Sequence, residues 1–277
     1  MLSILDNTDA PIDFYILDSG ISPENEEKIR AIKGNYSINF LKIDVEKQFK
    51  GFNVPGHLNL STYSRLLIPS LKPELEKVLY IDTDVVALGN IAELYNVDLG
   101  NYALGAAWDK SRVLYNTDTK EPLELSDDYK YFNAGVLLID IQKWIRNEVV
   151  KSLFEIQRKY DGKIPHADET LLNKYFDGNY KIFDISWDYT DYDLVNAPDK
   201  EIKIRHFASS IKPWNSNYTV LGKKIVPLKN FEDFWKYAKM TKFYEEIKKK
   251  YETSINLSPI KKRMSRLVQE QSEIIWG

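Results

Sequence analysis

Short apolar runs alternate with amphipathic segments along most of this chain. Ile12 to Leu17 is a β-type run ending in Asp18-Ser19-Gly20, and Ser22-Pro23-Glu24 then offers a capping serine and a first-turn proline for a helix. Tyr36 to Ile43 predicts a second strand, Ser61 to Ile68 a helix carrying Tyr63 and Arg65, and Lys77 to Val86 a central buried parallel strand. Ala103 to Trp108 and Ala134 to Ile139 predict further strands, followed by helices over Ile141 to Tyr160 and Asp168 to Phe176. Tyr180 to Ile185 and the edge-like Ile202 to Phe207 complete the strands. Asn230 to Ile247 predicts a helix with Phe231, Phe234, Trp235 and Ala238 on one face. This order is that of an open α/β sheet, in which ligands sit outside the carboxyl ends of the strands.

Composition narrows the setting. The 277 residues, 43% of them hydrophobic, suffice for one large core or two modest ones. With 38 basic against 41 acidic residues, no global field favours nucleic acid. The absence of cysteine excludes disulfides, thiolate metal sites and cysteine nucleophiles. No run approaches the roughly 20 apolar residues of a membrane span, and the start is too short for a signal peptide, so a cytoplasmic location is the default expectation.

The candidate chemistry centres on Val78 to Val86, an apolar run broken by Asp82 and Asp84. Two carboxylates spaced i, i+2 at a strand end aim at one point, which suits a hard divalent cation holding the phosphates of a nucleotide. The competing reading is a pair of aspartates capping the next loop. Downstream, His206 precedes a small-residue loop, Ala208-Ser209-Ser210, that leads to Lys212-Pro213-Trp214. A histidine joined to two carboxylates favours Mn²⁺ over Mg²⁺. Small residues let backbone approach a diphosphate, and Lys212 would offset leaving-group charge. Taken alone, a histidine is more often a hydrogen-bonded core residue than a ligand, and a Lys-Pro-Trp is usually a packing element.

Together these segments resemble family 8 of the retaining glycosyltransferases, a group that includes bacterial lipooligosaccharide galactosyltransferases, lipopolysaccharide glucosyltransferases and general stress protein A-like enzymes. The resemblance is carried by Phe14 to Ser22, Ser61 to Leu66, Leu79 to Asp84, Tyr131 to Val136, Asp168 to Asn173 and His206 to Trp214, in the family's order. It implies a GT-A, Rossmann-like α/β fold and transfer of a hexose, glucose or galactose, from a UDP-sugar to a glycan, glycolipid or glycoprotein. It further implies Mn²⁺ on Asp82, Asp84 and His206, with Asp82 also reaching the ribose. Lys212 and the backbone at Ser209 would hold the β-phosphate. Arg65, Thr83, Asp109 and Asn133 would contact the donor, with Ala134 and Gly135 leaving room for its sugar. Asp168 and Glu169 are the catalytic candidates: Asp168 would contact sugar hydroxyls, and Glu169, where relatives commonly carry glutamine, would act as nucleophile or as stabiliser of oxocarbenium charge. First-turn acids favoured by the helix dipole are the competing account of that pair.

The chain departs from the pattern elsewhere too, beginning with Ser209, where the family often has glycine. Thr170 stands where the motif has an acid. Met1 to Leu5 matches the end of the family's first helix, so the first strand is expected to be missing, with an open edge beside Ile12 to Leu17 and a native start upstream. The expected organisation is a catalytic domain over 1–228 and a helical segment over 229–277. The latter's basic amphipathic tail, with Lys261, Lys262, Arg263 and Arg266, can lie on the inner face of an anionic membrane or be a solvated helix. Trp187, Tyr189, Tyr192 and Trp214 are candidate acceptor platforms, and Ser111 to Asp128 a candidate mobile loop over the donor. Two other functions fit parts of the pattern: a metal-dependent phosphoesterase, and a non-catalytic nucleotide-sugar-binding subunit.

Overall fold

The computed structural model describes residues 1–54, 58–110, 123–127, 129–160, 164–190, 201–208, 212–216, 218–221, 224–227 and 231–256. Helix α1 (Leu2–Asn7) leads to strand β1 (Ile12–Asp18), helix α2 (Pro23–Arg30), strand β2 (Tyr36–Lys42) and helix α3 (Val45–Gln48). A 3-10 helix (Leu60–Leu67) runs into α4 (Ile68–Leu71), β3 (Lys77–Ile81), β4 (Val85–Ala87), α5 (Ile91–Tyr95), β5 (Leu104–Trp108) and β6 (Phe132–Asp140). Helices α6 (Ile141–Arg146), α7 (Val149–Lys159) and α8 (Ala167–Phe176) precede β7 (Lys181–Phe183), a 3-10 turn (Ile185–Trp187), β8 (Tyr189–Thr190) and β9 (Ile204–His206). The hairpin β10 (Tyr218–Leu221) and β11 (Lys224–Pro227) is followed by α9 (Glu232–Ala238) and α10 (Tyr244–Asn256).

The local signals act as their chemistry predicts. Ser22 caps α2 by accepting from the Asn25 amide at 3.3 Å, with Pro23 in the first turn. The apolar run of β6 from Ala134 to Ile139 is buried throughout because both of its faces are covered. Leu137 and Ile139 pack with Trp144, Leu153 and Leu171 of the helical layer, whereas Val136 and Leu138 pack with Ile4, Ala87 and Leu94 on the opposite side.

Tertiary pairing corrects several expectations. The main sheet has the order β3-β6-β5-β7, and β3 pairs with β6 antiparallel rather than with a parallel neighbour. Lys77 to Val86 is two strands, interrupted by a turn at Asp82-Thr83-Asp84, because β4 leaves β3's sheet to pair antiparallel with β9. Ile141 to Tyr160 is two helices, divided at Glu148, whose φ of 49° lies in the left-handed region. The C-terminal helix is likewise divided into α9 and α10, the arginine-bearing helix is 3-10, and Tyr180 to Ile185 shortens to β7. β1 and β2 form a separate parallel pair. No ladder joins β1 to β3 among the described residues, although Ile12 and Phe14 share an apolar cluster with Leu79 and Ile81. Among the described residues the β1–β2 pair and the main sheet are therefore separate ladders.

Phe231 and Tyr237 bury against Val86 and Phe207, docking α9 on the β4–β9 pair. The basic tail beyond Asn256, Tyr192, and Ser111 to Asp128 apart from residues 123–127 lie outside the described residues. No described helix is long and apolar enough to cross a membrane.

Candidate active site

The turn after β3 and the end of β9 build the centre of the site. The Asp82 amide continues the β3–β6 ladder by donating to Gly135 O at 2.8 Å, and the Phe207 amide donates to Asp84 O at 2.9 Å. Val85 lies opposite His206 across the β4–β9 pair. Those bonds bring the histidine beside both aspartates: His206 Nε2 is 3.3 Å from Asp84 Oδ1 and 3.8 Å from Asp82 Oδ2. One ligand atom from each of Asp82, Asp84 and His206 falls within 4.8 Å of the others, a donor set of two carboxylates and an imidazole that suits a divalent cation. The expected convergence is present, produced by a turn rather than by alternation along a strand.

Each carboxylate divides its oxygens. Asp82 Oδ1 accepts from the Tyr80 hydroxyl at 2.5 Å and pairs with Arg65 Nη2 at 2.9 Å, leaving Oδ2 toward the histidine. Asp84 Oδ2 pairs with Lys212 Nζ at 2.5 Å, so a lysine cation stands beside the donor set. Burial opposes ionisation of Asp84, but His206 and Lys212 prevail and hold its pKa well below the usual range. Burial also opposes the His206 imidazolium, yet Asp188 and Asp84 outweigh it and push its pKa well above the ordinary value.

The histidine needs a glycine beside it. A Cβ at Gly135 would meet the His206 ring, 2.6 Å from Nδ1. The space that a Cβ at Gly135 would take is occupied by the imidazole.

Arg65 ties this centre to the acidic pair. Its Nε pairs with Asp168 Oδ2 at 2.8 Å and its Nη1 donates to Ala134 O, while the guanidinium lies over the Tyr80 ring. Asp168 Oδ1 also accepts from the Thr62 hydroxyl at 2.6 Å. Burial keeps the Asp168 pKa raised despite Arg65 and Thr62. Glu169 Oε2 accepts from Asn133 Nδ2 at 3.0 Å and from the Ala134 amide at 3.3 Å. Asn133 Oδ1 in turn accepts from the Gly135 amide at 2.8 Å. Thr170 anchors the start of α8, bonded to the His166 amide and the Tyr131 hydroxyl at 3.1 Å each.

Asp109 is buried at the end of β5, where its amide donates to Tyr131 O, and Thr83 is exposed at the tip of the turn. Ser209 lies outside the described residues. Of the aromatic platform candidates, Trp187 packs on an apolar core cluster and Trp214 lies against Phe234 at 5.2 Å. Tyr80, Thr62 and Asp188 were missed as site residues. Their roles depend on partners distant in sequence or on a hydroxyl direction, and no spacing in the chain signals either.

Comparison with known proteins places the chain in a family. The chain is 31% identical over 231 residues to a putative glycosyltransferase of Haemophilus influenzae, covering 80% of this chain and 70% of that protein. It is 30% identical over 217 residues to glycosyltransferase GlyF of Streptococcus pneumoniae, covering 74% of this chain, which spans only half of that protein's length. The crystal structure of the galactosyltransferase LgtC in complex with donor and acceptor sugar analogues superposes with a TM-score of 0.75 at 27% identity, covering 87% of this chain and 90% of that one. The α/β architecture is accordingly the GT-A fold. The model of the family described as glycosyl transferase family 8 matches residues 1–218, and the chain belongs to that family of glycosyltransferases.

Proposed function

We propose that this chain is a retaining transferase that moves a hexose, glucose or galactose, from a UDP-sugar to a saccharide, glycolipid or glycoprotein acceptor, with Mn²⁺ as its cofactor. The observation that carries the reading is the convergence of Asp82, Asp84 and His206 beside Lys212. Bound by those three side chains, Mn²⁺ supplies charge neutralisation for the donor diphosphate. Lys212 adds a fixed positive charge for the β-phosphate as UDP departs. Arg65, braced between Asp82 and Asp168, orients the donor, and Asp168 acts by holding Arg65 rather than by reaching the sugar. Glu169, fixed by Asn133 and the Ala134 amide, places negative charge where oxocarbenium character develops. Asp109, Asn133 and Ala134 complete the donor pocket in this reading, and residues 1–228 form the catalytic domain.

The test is calorimetric titration of the chain with UDP, with and without Mn²⁺. Mn²⁺-dependent UDP binding that is lost in Asp84→Asn is the expected result. Equal UDP affinity with and without the metal would overturn the metal-centred reading.

A further inference from the structure

His206 meets the metal group through Nε2, and its other ring nitrogen points to a residue that the motif reading did not single out. Nδ1 lies 2.8 Å from Asp188 Oδ1. Asp188 closes the 3-10 turn after Trp187, its amide donating to Ile185 O at 3.0 Å, immediately before β8. β8 runs parallel beside β9 with Thr190 opposite His206, so the backbone ladder sets the separation of the two side chains. The Asp188 side chain has 0% exposure and that of His206 3%. Oδ2 of Asp188 has no hydrogen-bond partner among the described residues. A buried carboxylate and imidazole are a poor device for joining two strands, because well-packed apolar residues do so without desolvating charge. Their placement next to Asp82 and Asp84 gives the pair another role. A carboxylate accepts, so Nδ1 donates to Asp188, and Nε2 is the nitrogen that can give its lone pair to a cation when the cation displaces the Nε2 proton. Gly135 closes the ring's other approach, since any Cβ there would meet the imidazole.

We propose that Asp188 is the positioning residue of the metal centre: by accepting from Nδ1 it fixes the orientation of the His206 ring and directs Nε2 between Asp82 and Asp84. This rests on the reading of His206 as a metal ligand. It extends that reading to a residue outside every motif, and it assigns the turn Ile185–Trp187 the task of setting metal affinity.

The experiment titrates Mn²⁺ into the full chain, alone and with UDP, for the wild type, Asp188→Asn, Asp188→Ala and His206→Ala. It also records the thermal midpoint of each metal-free protein and the electron-spin-echo modulation of bound Mn²⁺ by imidazole nitrogen. Asp188→Asn is expected to keep the metal-free midpoint while weakening Mn²⁺ binding about 10- to 100-fold. His206→Ala is expected to abolish the nitrogen modulation. Should Asp188→Ala fail to fold, the isosteric Asp188→Asn decides the question. Wild-type Mn²⁺ affinity in Asp188→Asn, with loss in His206→Ala, would overturn the positioning role and leave the metal site standing. A lowered midpoint with unchanged affinity would reduce Asp188 to a structural residue. Unchanged affinity in His206→Ala would remove the metal-ligand reading and the proposal with it.

Discussion

Arg65 Nε stands 2.8 Å from Asp168 Oδ2, and both side chains are buried. The same guanidinium reaches Asp82, so one cation links Asp168 of the helix-borne acidic pair to the Asp82–Asp84 turn. Removing one partner of a buried pair leaves an uncompensated charge. Arg65→Met is expected to cost about 3–5 kcal/mol of stability, measured by urea unfolding. Adding Asp168→Leu should recover part of that loss, since the stranded carboxylate is then gone. Additive losses in the double variant would contradict the coupling.

The Gly135 backbone lies against the His206 ring. Gly135→Ala places a methyl group against the His206 ring and is expected to cost about 1–3 kcal/mol through overpacking. It should also weaken Mn²⁺ binding, because the imidazole must move. Calorimetry beside urea unfolding separates the two effects, and wild-type values in both would refute the contact.

Asp84 serves His206 through one oxygen and Lys212 through the other. Asp84→Asn is expected to weaken metal-dependent UDP binding by more than about 100-fold, beyond what loss of an outer hydrogen-bond partner produces. A drop of only a few-fold would move the metal away from this turn.

Glu169 separates two mechanisms. If it stabilises positive charge without forming a bond, Glu169→Gln keeps the hydrogen bond to Asn133 and slows transfer by about 10²-fold, leaving UDP affinity unchanged. Background-level transfer in that variant, with a glycosyl adduct on Glu169 of the wild type detected by mass spectrometry, would assign a nucleophile instead.

Asp140 tests the fold away from the site. Its carboxylate caps α6 by accepting from the Lys143 amide at 2.8 Å and pairs with Lys143 Nζ at 2.8 Å. Burial would raise its pKa, but the Lys143 hydrogen bonds and charge prevail and hold it below the usual value. A folded-state pKa below the unfolded one gives stabilisation that is full above the unfolded value of about 3.9 and is lost as pH falls through the folded value. Asp140→Ala is therefore expected to cost about 1 kcal/mol at neutral pH. The difference should shrink in acid, which urea midpoints at both ends of the range would register.

Much of this protein is legible in its sequence, for reasons of short range. Ser22-Pro23 starts α2 because a hydroxyl and a fixed φ act within one turn. The continuous apolar run of β6 requires cover on both faces wherever it is placed. The Asp-x-Asp, histidine and lysine elements stand out as candidates by residue type, since carboxylate, imidazole and ammonium groups suit a divalent cation beside a diphosphate.

What only the tertiary structure decided depends on partners far apart in the chain. The antiparallel β3–β6 and β4–β9 pairs, the turn that makes Asp82 and Asp84 converge, and the split between β1 and β3 are choices of pairing between strands. Residue type cannot announce that the imidazole occupies the space a Cβ at Gly135 would take, that Asp168 pairs with Arg65, or that Asp188 stands behind His206. The sequence by itself determined which chemical groups were present and which segments had to be buried. Packing decided which of those groups meet, because distance in space is fixed by ladder register and close contact rather than by spacing along the chain.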